Sequence, residues 1–154
     1  MYEGVAPPTP DAGQVELYAK TDGKLYSKND IGVESEVLGQ KDRESKSITI
    51  ENPSASEDIS FFYTDVAITI QEMKAVLSGT TPSLTWTVRH STDRSATGNE
   101  VVTGGTTTTS TTTGDTITSF DDPSIPANSF VWIETTGVSG SVISAHLSVT
   151  FDED

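Results

Sequence analysis

Two histidines are the only side chains of the 154-residue chain whose ordinary pKa lies near neutrality, so they are the first candidates for acid–base chemistry. His90 ends the alternating stretch SLTWTVRH, and His146 stands between Ala145 and Leu147. Serine is abundant, yet none stands in a G-x-S-x-G elbow or another nucleophile context. We therefore predict that both histidines form hydrogen bonds at the surface or between strands, and that the protein is not an enzyme.

Paired carboxylates are the second candidate for chemistry, because loop carboxylates can hold Ca²⁺. The acidic pairs and runs are Glu57-Asp58, Asp121-Asp122 and Asp152 to Asp154. None has the alternating oxygen spacing of a dedicated calcium loop, so calcium stays a minor alternative. Gly104-Gly105 is followed by threonines rather than a lysine, which excludes a phosphate-binding loop of that type. With no cysteine for a thiolate site, we predict no metal and no cofactor.

The charge of the chain restricts its partners. Nine basic against 23 acidic side chains give a formal net charge of −14. Such a surface repels phosphate backbones, which argues against a nucleic-acid partner. The opening MYEGVAPPTPDAG has neither a basic nor an apolar region, so we expect no signal peptide, no membrane partner, and synthesis in a cytoplasm.

From residue 47 onward, apolar residues recur at every second position, as in strands with one buried face. The residues predicted to face the core are Ile48, Ile50, Val66, Ile68, Ile70, Leu84, Trp86, Val88, Ala145, Leu147, Val149 and Phe151. We therefore predict an all-β domain over residues 46–154, an antiparallel β-sandwich of jelly-roll-like type. Residues 65–79 also fit one face of a helix, but the β-branched run 66–70 favours a strand. The threonine-rich stretch GGTTTTSTTTG is predicted to be a polar edge strand or a long hairpin loop.

Residues 1–45 are predicted to form a separate segment. Prolines near the start favour an extended arm without regular structure. Two short strands, Val15 to Lys20 and Lys24 to Asn29, flank Asp22-Gly23, which is well suited to a two-residue type I′ turn, and a third strand is predicted over Val33 to Leu38.

Pairing across a two-residue turn has a consequence for the faces of this hairpin. It places Leu17, Ala19 and Tyr26 on one face, and Tyr18 and Leu25 on the other. Neither face is then a complete core face, although both carry apolar groups. Because an isolated hairpin is barely stable in water, we predict that this one packs against other copies of the chain or against a partner.

The stretch DAGQVELYAKTDGKLYSKNDIGVESEVLG resembles a segment common in structural proteins of tailed bacteriophages, of the form AG-x-x-x-LYAK-x-DGKLY-x-K-x-x-x-G-x-E. That segment occurs near the start of small head-decoration and head-fibre proteins, and inside longer tail-fibre proteins. The later stretches ENPSASEDISFFYTDVAITIQEMKAVLSG, WTVRHSTDRSATGNEVVTGGTTTTSTTTG and IPANSFVWIETTGVSG are similar to a domain often linked to it in phage and prophage virion proteins.

This resemblance implies a capsid decoration (cement) protein, a structural homotrimer on the outside of the phage head whose partner is the major capsid protein. The residues it implies at the oligomer interface are Leu17, Tyr18, Leu25 and Tyr26. The residues it implies for attachment to the capsid are Tyr2, Val5, Pro7 and Pro8. A fibre protein that recognises host glycan is the alternative. It is less favoured, because the patterns around Trp86 and Trp132 leave neither tryptophan available to a sugar.

Overall fold

The computed structural model of the protein describes residues 6–37 and 43–154. The chain divides into two compact units, Met1–Lys41 and Asp42–Asp154. Every regular element in the described ranges is a β-strand, and the pairings are antiparallel, as predicted. Neither described range contains a helix long and apolar enough to cross a membrane.

The N-terminal unit contains a three-stranded sheet in the order β1-β2-β3. Its strands are β1 (Val15–Ala19), β2 (Leu25–Asn29) and β3 (Glu34–Glu36). The third strand is shorter than predicted, and Leu38, its predicted end, lies outside the described residues.

The loop between β1 and β2 has three residues instead of the predicted two. The amide of Lys20 donates to the carbonyl of Lys24, and the amide of Gly23 donates to the carbonyl of Lys20, each at 3.0 Å. Only Gly23 of the predicted central pair Asp22-Gly23 has a positive φ, at 79°. This is a type I turn followed by a left-handed glycine, so the predicted type I′ turn is wrong.

The additional loop residue changes which side chains share a face. Tyr18 pairs directly with Tyr26, and Ala19 pairs with Leu25. Directly paired residues of antiparallel strands lie on the same face of the sheet. Leu17 therefore shares its face with Ala19 and Leu25. The predicted grouping of Leu17 with Tyr26 is wrong, because a shift of one residue moves a whole strand's side chains to the opposite face.

The C-terminal unit contains eight strands. They are β4 (Arg43–Glu51), β5 (Asp58–Thr64), β6 (Ile68–Ser91), β7 (Asn99–Glu100), β8 (Thr106–Thr108), β9 (Asp115–Ile117), β10 (Ser124–Ile125) and β11 (Ser129–Glu153). Residues 68–79 therefore form part of a strand and not a helix, as the β-branched run 66–70 predicted. The threonine-rich stretch supplies the short strand β8, which pairs with β6.

Two long strands organise this unit. β6 and β11 pair with each other along their whole length, from the pair Ser91 and Phe130 to the pair Ile68 and Glu153. β4 pairs with the second half of β11, while β9 and β10 pair with the first half of β6. β5 pairs with the first half of β11, while β7 and β8 pair with the last part of β6. Both long strands thus contribute to two layers, which agrees with the predicted antiparallel β-sandwich.

The bend between the layers is made by glycines on both long strands. Gly79 has φ of 140°, and a Cβ there would lie 1.8 Å from the carbonyl oxygen of Ser141. Gly140 has φ of 68°, and a Cβ there would lie 2.0 Å from the carbonyl oxygen of Thr81. Three of the four register shifts in the β6–β11 pairing fall in this region. Bulges and glycines let the paired strands turn together.

The buried apolar side chains of both layers form one core. Leu84, Trp86, Val88, Leu147 and Val149 are fully buried, which confirms their predicted phase. Val66 is exposed, although it was predicted to face inward. The strand begins only at Ile68, and Val66 lies in the preceding turn, where its carbonyl accepts a hydrogen bond from the hydroxyl of Thr64.

Candidate functional site

One face of the N-terminal sheet carries mostly apolar side chains. The register places Val15, Leu17, Ala19 and Leu25 there, with Val33 and Val37 flanking β3. The polar positions of this face are Ser27, Asn29 and Ser35, and none of its described strand positions carries a charge. The sequence prediction missed this amphipathic face, because the two-residue turn mixed the residues of the two faces.

This face is open to solvent. Val15 and Leu17 are 64% and 60% exposed, and Val33 and Val37 are exposed as well. Five of the nine large apolar side chains that are exposed in the described ranges lie between residues 15 and 37, the fifth being Ile31. Such a concentration in a short segment is characteristic of an interaction surface rather than of scattered surface apolar residues.

The opposite face of the sheet is polar, and its lysines are paired within the chain. Lys20 Nζ lies 2.7 Å from the Glu34 carboxylate and 4.0 Å from the centre of the Tyr26 ring. Lys24 Nζ lies 3.0 Å from the carboxylate of Glu36. The hydrogen bond to Glu34 raises the pKa of Lys20, and the same contact lowers the pKa of Glu34. Exposed ion pairs contribute little stability, but they keep this face hydrated and charged.

The four residues predicted at the oligomer interface are divided between these faces. Leu17 and Leu25 belong to the apolar face. Tyr18 is buried within its own chain and lies beside Tyr26 on the polar face, with ring centres 6.1 Å apart. The interface role of these residues stays a prediction, and the register favours Leu17 and Leu25 for it.

The residues predicted for capsid attachment are described in part. Tyr2 and Val5 lie outside the described residues. Pro7 is partly buried, and its carbonyl accepts a hydrogen bond from Lys28 Nζ at 2.8 Å. Pro8 is exposed and lines a groove of about 430 Å³ with residues 9–11 and 14–16. Residues 7–14 therefore pack along the N-terminal sheet.

The acidic clusters are engaged by nearby groups of the chain. Glu57 accepts a hydrogen bond from the amide of Ser54 at 2.7 Å, and hydrogen bonds from Ser54 lower its pKa. Asp121 accepts from the amide of Thr103 at 2.8 Å. In residues 6–37 and 43–154, no three or more His, Cys, Asp or Glu side chains converge as a metal site would require.

The two histidines have different surroundings. His146 is exposed, and its Nδ1 lies 3.0 Å from the hydroxyl of Thr49 on the neighbouring strand, as predicted. His90 is buried at the end of β6, with Nε2 3.4 Å from an Asp122 carboxylate oxygen. Ser129 lies in the same region and completes the residue types of a hydrolytic triad. Its hydroxyl, however, forms no hydrogen bond to any described residue, so the contact between nucleophile and base is missing.

Burial gives His90 a testable effect on stability. Desolvation lowers the pKa of its imidazole, against the opposing attraction of Asp122. Below about pH 6.5, the unfolded chain therefore binds a proton that the folded chain does not. We expect the wild-type protein to lose stability as the pH falls from about 6.5 to the pKa of His90 in the folded state. Below that pH, His90 should cause no further loss of stability. Melting temperatures across this range should fall less steeply for His90→Gln.

His146→Gln is the matched control, because it removes the exposed imidazole and leaves His90 in place. This variant should keep the acid dependence of the wild type. If His90→Gln shows an unchanged acid dependence instead, His90 is not the group that titrates.

Comparison with known proteins gives a limited result. No protein-family model matches the chain, and no curated protein matches it. Among solved structures, it is similar to a chain of the cyanophage Pam1 capsid asymmetric unit, with 13% sequence identity and a TM-score of 0.41. The similarity covers 75% of this chain and 86% of the other.

Proposed function

We propose that the protein is a structural component of a tailed-phage virion, a capsid decoration protein that assembles as a homotrimer. The observation that carries this proposal is the exposed, uncharged apolar face of the N-terminal sheet. The sheet is formed by the same segment, LYAKTDGKLY, that resembles phage structural proteins. Its role is therefore assembly, and no catalytic step is proposed for the chain.

The apolar face supports self-association for an energetic reason. The described sheet has one buried apolar side chain, Tyr18, whereas residues 43–154 enclose a large core. Three strands with an apolar face become stable when that face is covered. Three copies that turn this face toward a common axis would bury Leu17, Leu25 and their neighbours in a triangular apolar stem, and would leave the charged faces outside. The number three comes from the sequence resemblance.

The charge distribution supports the proposed orientation on the particle. Residues 95–154 contain eight carboxylates and no lysine or arginine. An acidic outer surface keeps crowded copies apart and soluble. We propose that the arm and stem contact the major capsid protein, and that the C-terminal unit projects from the outside of the head.

Attachment can be measured on capsids that lack the protein. We expect the full chain to cosediment with such capsids and not with isolated tails. Deletion of residues 1–6 leaves Pro7 to accept its hydrogen bond from Lys28, and should preserve the oligomer. If the arm holds the capsid, this deletion should weaken cosedimentation about tenfold or more.

Two results would contradict the proposal. Binding to tails but not to heads would favour the alternative, a fibre protein. Normal capsid binding by the deletion variant would place the attachment surface outside residues 1–6.

A further inference from the structure

The outer edge of β4 is open. In the described ranges, β11 is the only strand that pairs with β4, so one side of β4 has no neighbouring strand. β4 is nine residues long, contains no proline, and shows no register shift along its pairing with β11. Such an edge presents a row of unpaired amides and carbonyls that another strand can bind. Short length, bulges and prolines usually prevent this pairing, and β4 lacks all three.

The register of β4 identifies the backbone groups that point toward the open edge. The amide of Asn52 donates to the carbonyl of Ile143 at 2.7 Å. Antiparallel strands exchange hydrogen bonds at every second residue, so the even-numbered residues from 44 to 52 bond to β11. The amides and carbonyls that point away from β11 are those of Arg43, Ser45, Ser47, Thr49 and Glu51.

The side chains at the centre of this edge do not block a second strand. Ser45, Ser47 and Thr49 are small, uncharged and exposed. The one charged residue between positions 45 and 49 is Lys46, and its Nζ lies 2.8 Å from the Glu44 carboxylate. The centre of the edge is therefore compatible with a neighbouring strand.

The sequence of β4 is complementary to itself in the antiparallel direction. Pairing about Ser47 matches all nine residues, and it joins odd-numbered residues to odd-numbered residues, whose backbone groups are the free ones. It places Ser45 opposite Thr49, and hydroxyl side chains in this arrangement form favourable cross-strand pairs. It also places Arg43 of each copy opposite Glu51 of the other, which gives two pairs of opposite charge.

The charged ends of β4 are available for this pairing. The Arg43 side chain is 62% exposed, and its contact with Asp152 uses two of the five donors of a guanidinium. Glu51 is exposed and has no basic partner in residues 6–37 and 43–154. A second copy would supply the cation that Glu51 lacks.

We propose that β4 pairs with β4 of a second copy of this chain, about a two-fold axis at Ser47. One layer of the C-terminal unit then continues from chain to chain. A contact one strand wide buries less surface than a stable complex does, and both partners are acidic. The contact is therefore weak between molecules in dilute solution.

The contact becomes effective where many copies are held close together. Copies fixed on one surface meet at a high effective concentration, so weak contacts act jointly. A trimer with three-fold symmetry contains no such two-fold axis, so the β4 pairing joins neighbouring trimers. This last step rests on the proposed function, whereas the pairing of the edges does not.

Disulfide trapping on the full chain tests the contact, because the natural sequence contains no cysteine. In the proposed register, the two copies of residue 47 lie opposite each other with Cα atoms about 5.5 Å apart, within the range for a disulfide. Under mild oxidation of concentrated protein, Ser47→Cys should form linked dimers about tenfold faster than Thr116→Cys, or more. Thr116 is the matched control, because it is exposed in the same row of paired residues at the opposite edge of this layer.

The register itself can be tested with cysteines on either side of the axis. Ser45→Cys alone and Thr49→Cys alone place their cysteines too far apart for a disulfide. A mixture of the two variants should give mixed dimers, because residue 45 of one copy lies opposite residue 49 of the other.

Blocking variants test the role of the open edge. Ser45→Pro, added to Ser47→Cys, removes an outward N–H and no hydrogen bond to β11, so it should keep the melting temperature and slow trapping about tenfold. Glu51→Lys, added to Ser47→Cys, places two cations opposite each other and should also slow trapping. It serves if the proline disturbs folding.

Trapping of Ser47→Cys should persist in a chain that also carries Leu17→Asp, which separates this contact from the proposed stem. Equal rates for Ser47→Cys and Thr116→Cys would overturn the proposal, as would trapping that neither blocking variant slows. If Ser47→Cys does not link to itself and Ser45→Pro weakens cosedimentation with capsids, the edge binds the capsid protein and the two-fold contact is wrong.

Discussion

Leu17→Asp should convert the proposed trimer to monomers while residues 43–154 keep their β structure. Leu17 is one of the most exposed side chains of the apolar face, and its neighbours there carry no charge. Burying one large apolar side chain contributes about 1.5–3 kcal/mol, and a trimer contains three copies of each. The substitution also brings three carboxylates together at the stem. Light scattering after gel filtration measures the mass, and circular dichroism follows the strands.

Thr21→Asp is the matched control for this experiment. It adds the same charge to the same unit, at an exposed position in the loop between β1 and β2. This variant should remain an oligomer. If both aspartate variants dissociate, added charge alone explains the effect. If Leu17→Asp stays trimeric, the C-terminal unit drives assembly. If the wild-type protein is itself a monomer, the proposed stem is refuted.

Trp86→Ala should lower the free energy of unfolding of the C-terminal unit by about 3–5 kcal/mol. Trp86 is 0% exposed in the centre of the core, and its Nε1 donates to the hydroxyl of Thr108 at 3.1 Å. The alanine variant leaves a large cavity and a buried hydroxyl without its donor. Urea unfolding followed by circular dichroism gives the change.

Two further variants divide this effect into its causes. Thr108→Val keeps the packing and leaves the indole N–H unsatisfied, which should cost about 1–3 kcal/mol. Ile143→Ala removes a large apolar side chain that is exposed, and should change stability by no more than about 0.5 kcal/mol. A Trp86→Ala loss as small as that of Ile143→Ala would mean that Trp86 is not a core residue.

The long strands could be predicted from the sequence because each has one buried face. In SLTWTVRH and SAHLSVTF, every second residue is apolar, and Trp86 and Leu147 have the predicted burial. No strand was predicted over Phe61 to Tyr63, yet β5 covers it. Its aromatic run shows no alternation, since Phe61 and Phe62 are both partly buried and pack edge-on against each other.

The faces of the N-terminal sheet could not be predicted because they depend on one residue in a turn. The pair Asp22-Gly23 suits both two-residue and three-residue loops, and the choice decides where Leu17 and Tyr26 point. The burial of His90 is different, because a signal for it was present in the sequence, although His90 was predicted to form a hydrogen bond at the surface or between strands. His90 continues the phase of Trp86 and Val88, and this position already indicated a buried imidazole.

The shared bend of β6 and β11 also determines how the C-terminal unit can be built up from an unfolded chain. Ser91 and Phe130 close the shortest loop of this pairing, whereas Ile68 and Glu153 are more than twice as far apart along the chain. Since the entropic cost of loop closure grows with length, the first pair is the cheaper starting point. Pairing that spreads from there must pass Gly79 and Gly140 before the second layer can form. We therefore expect these glycines to separate early contacts from late ones, with the layer that contains Ile68 and Glu153 completed last.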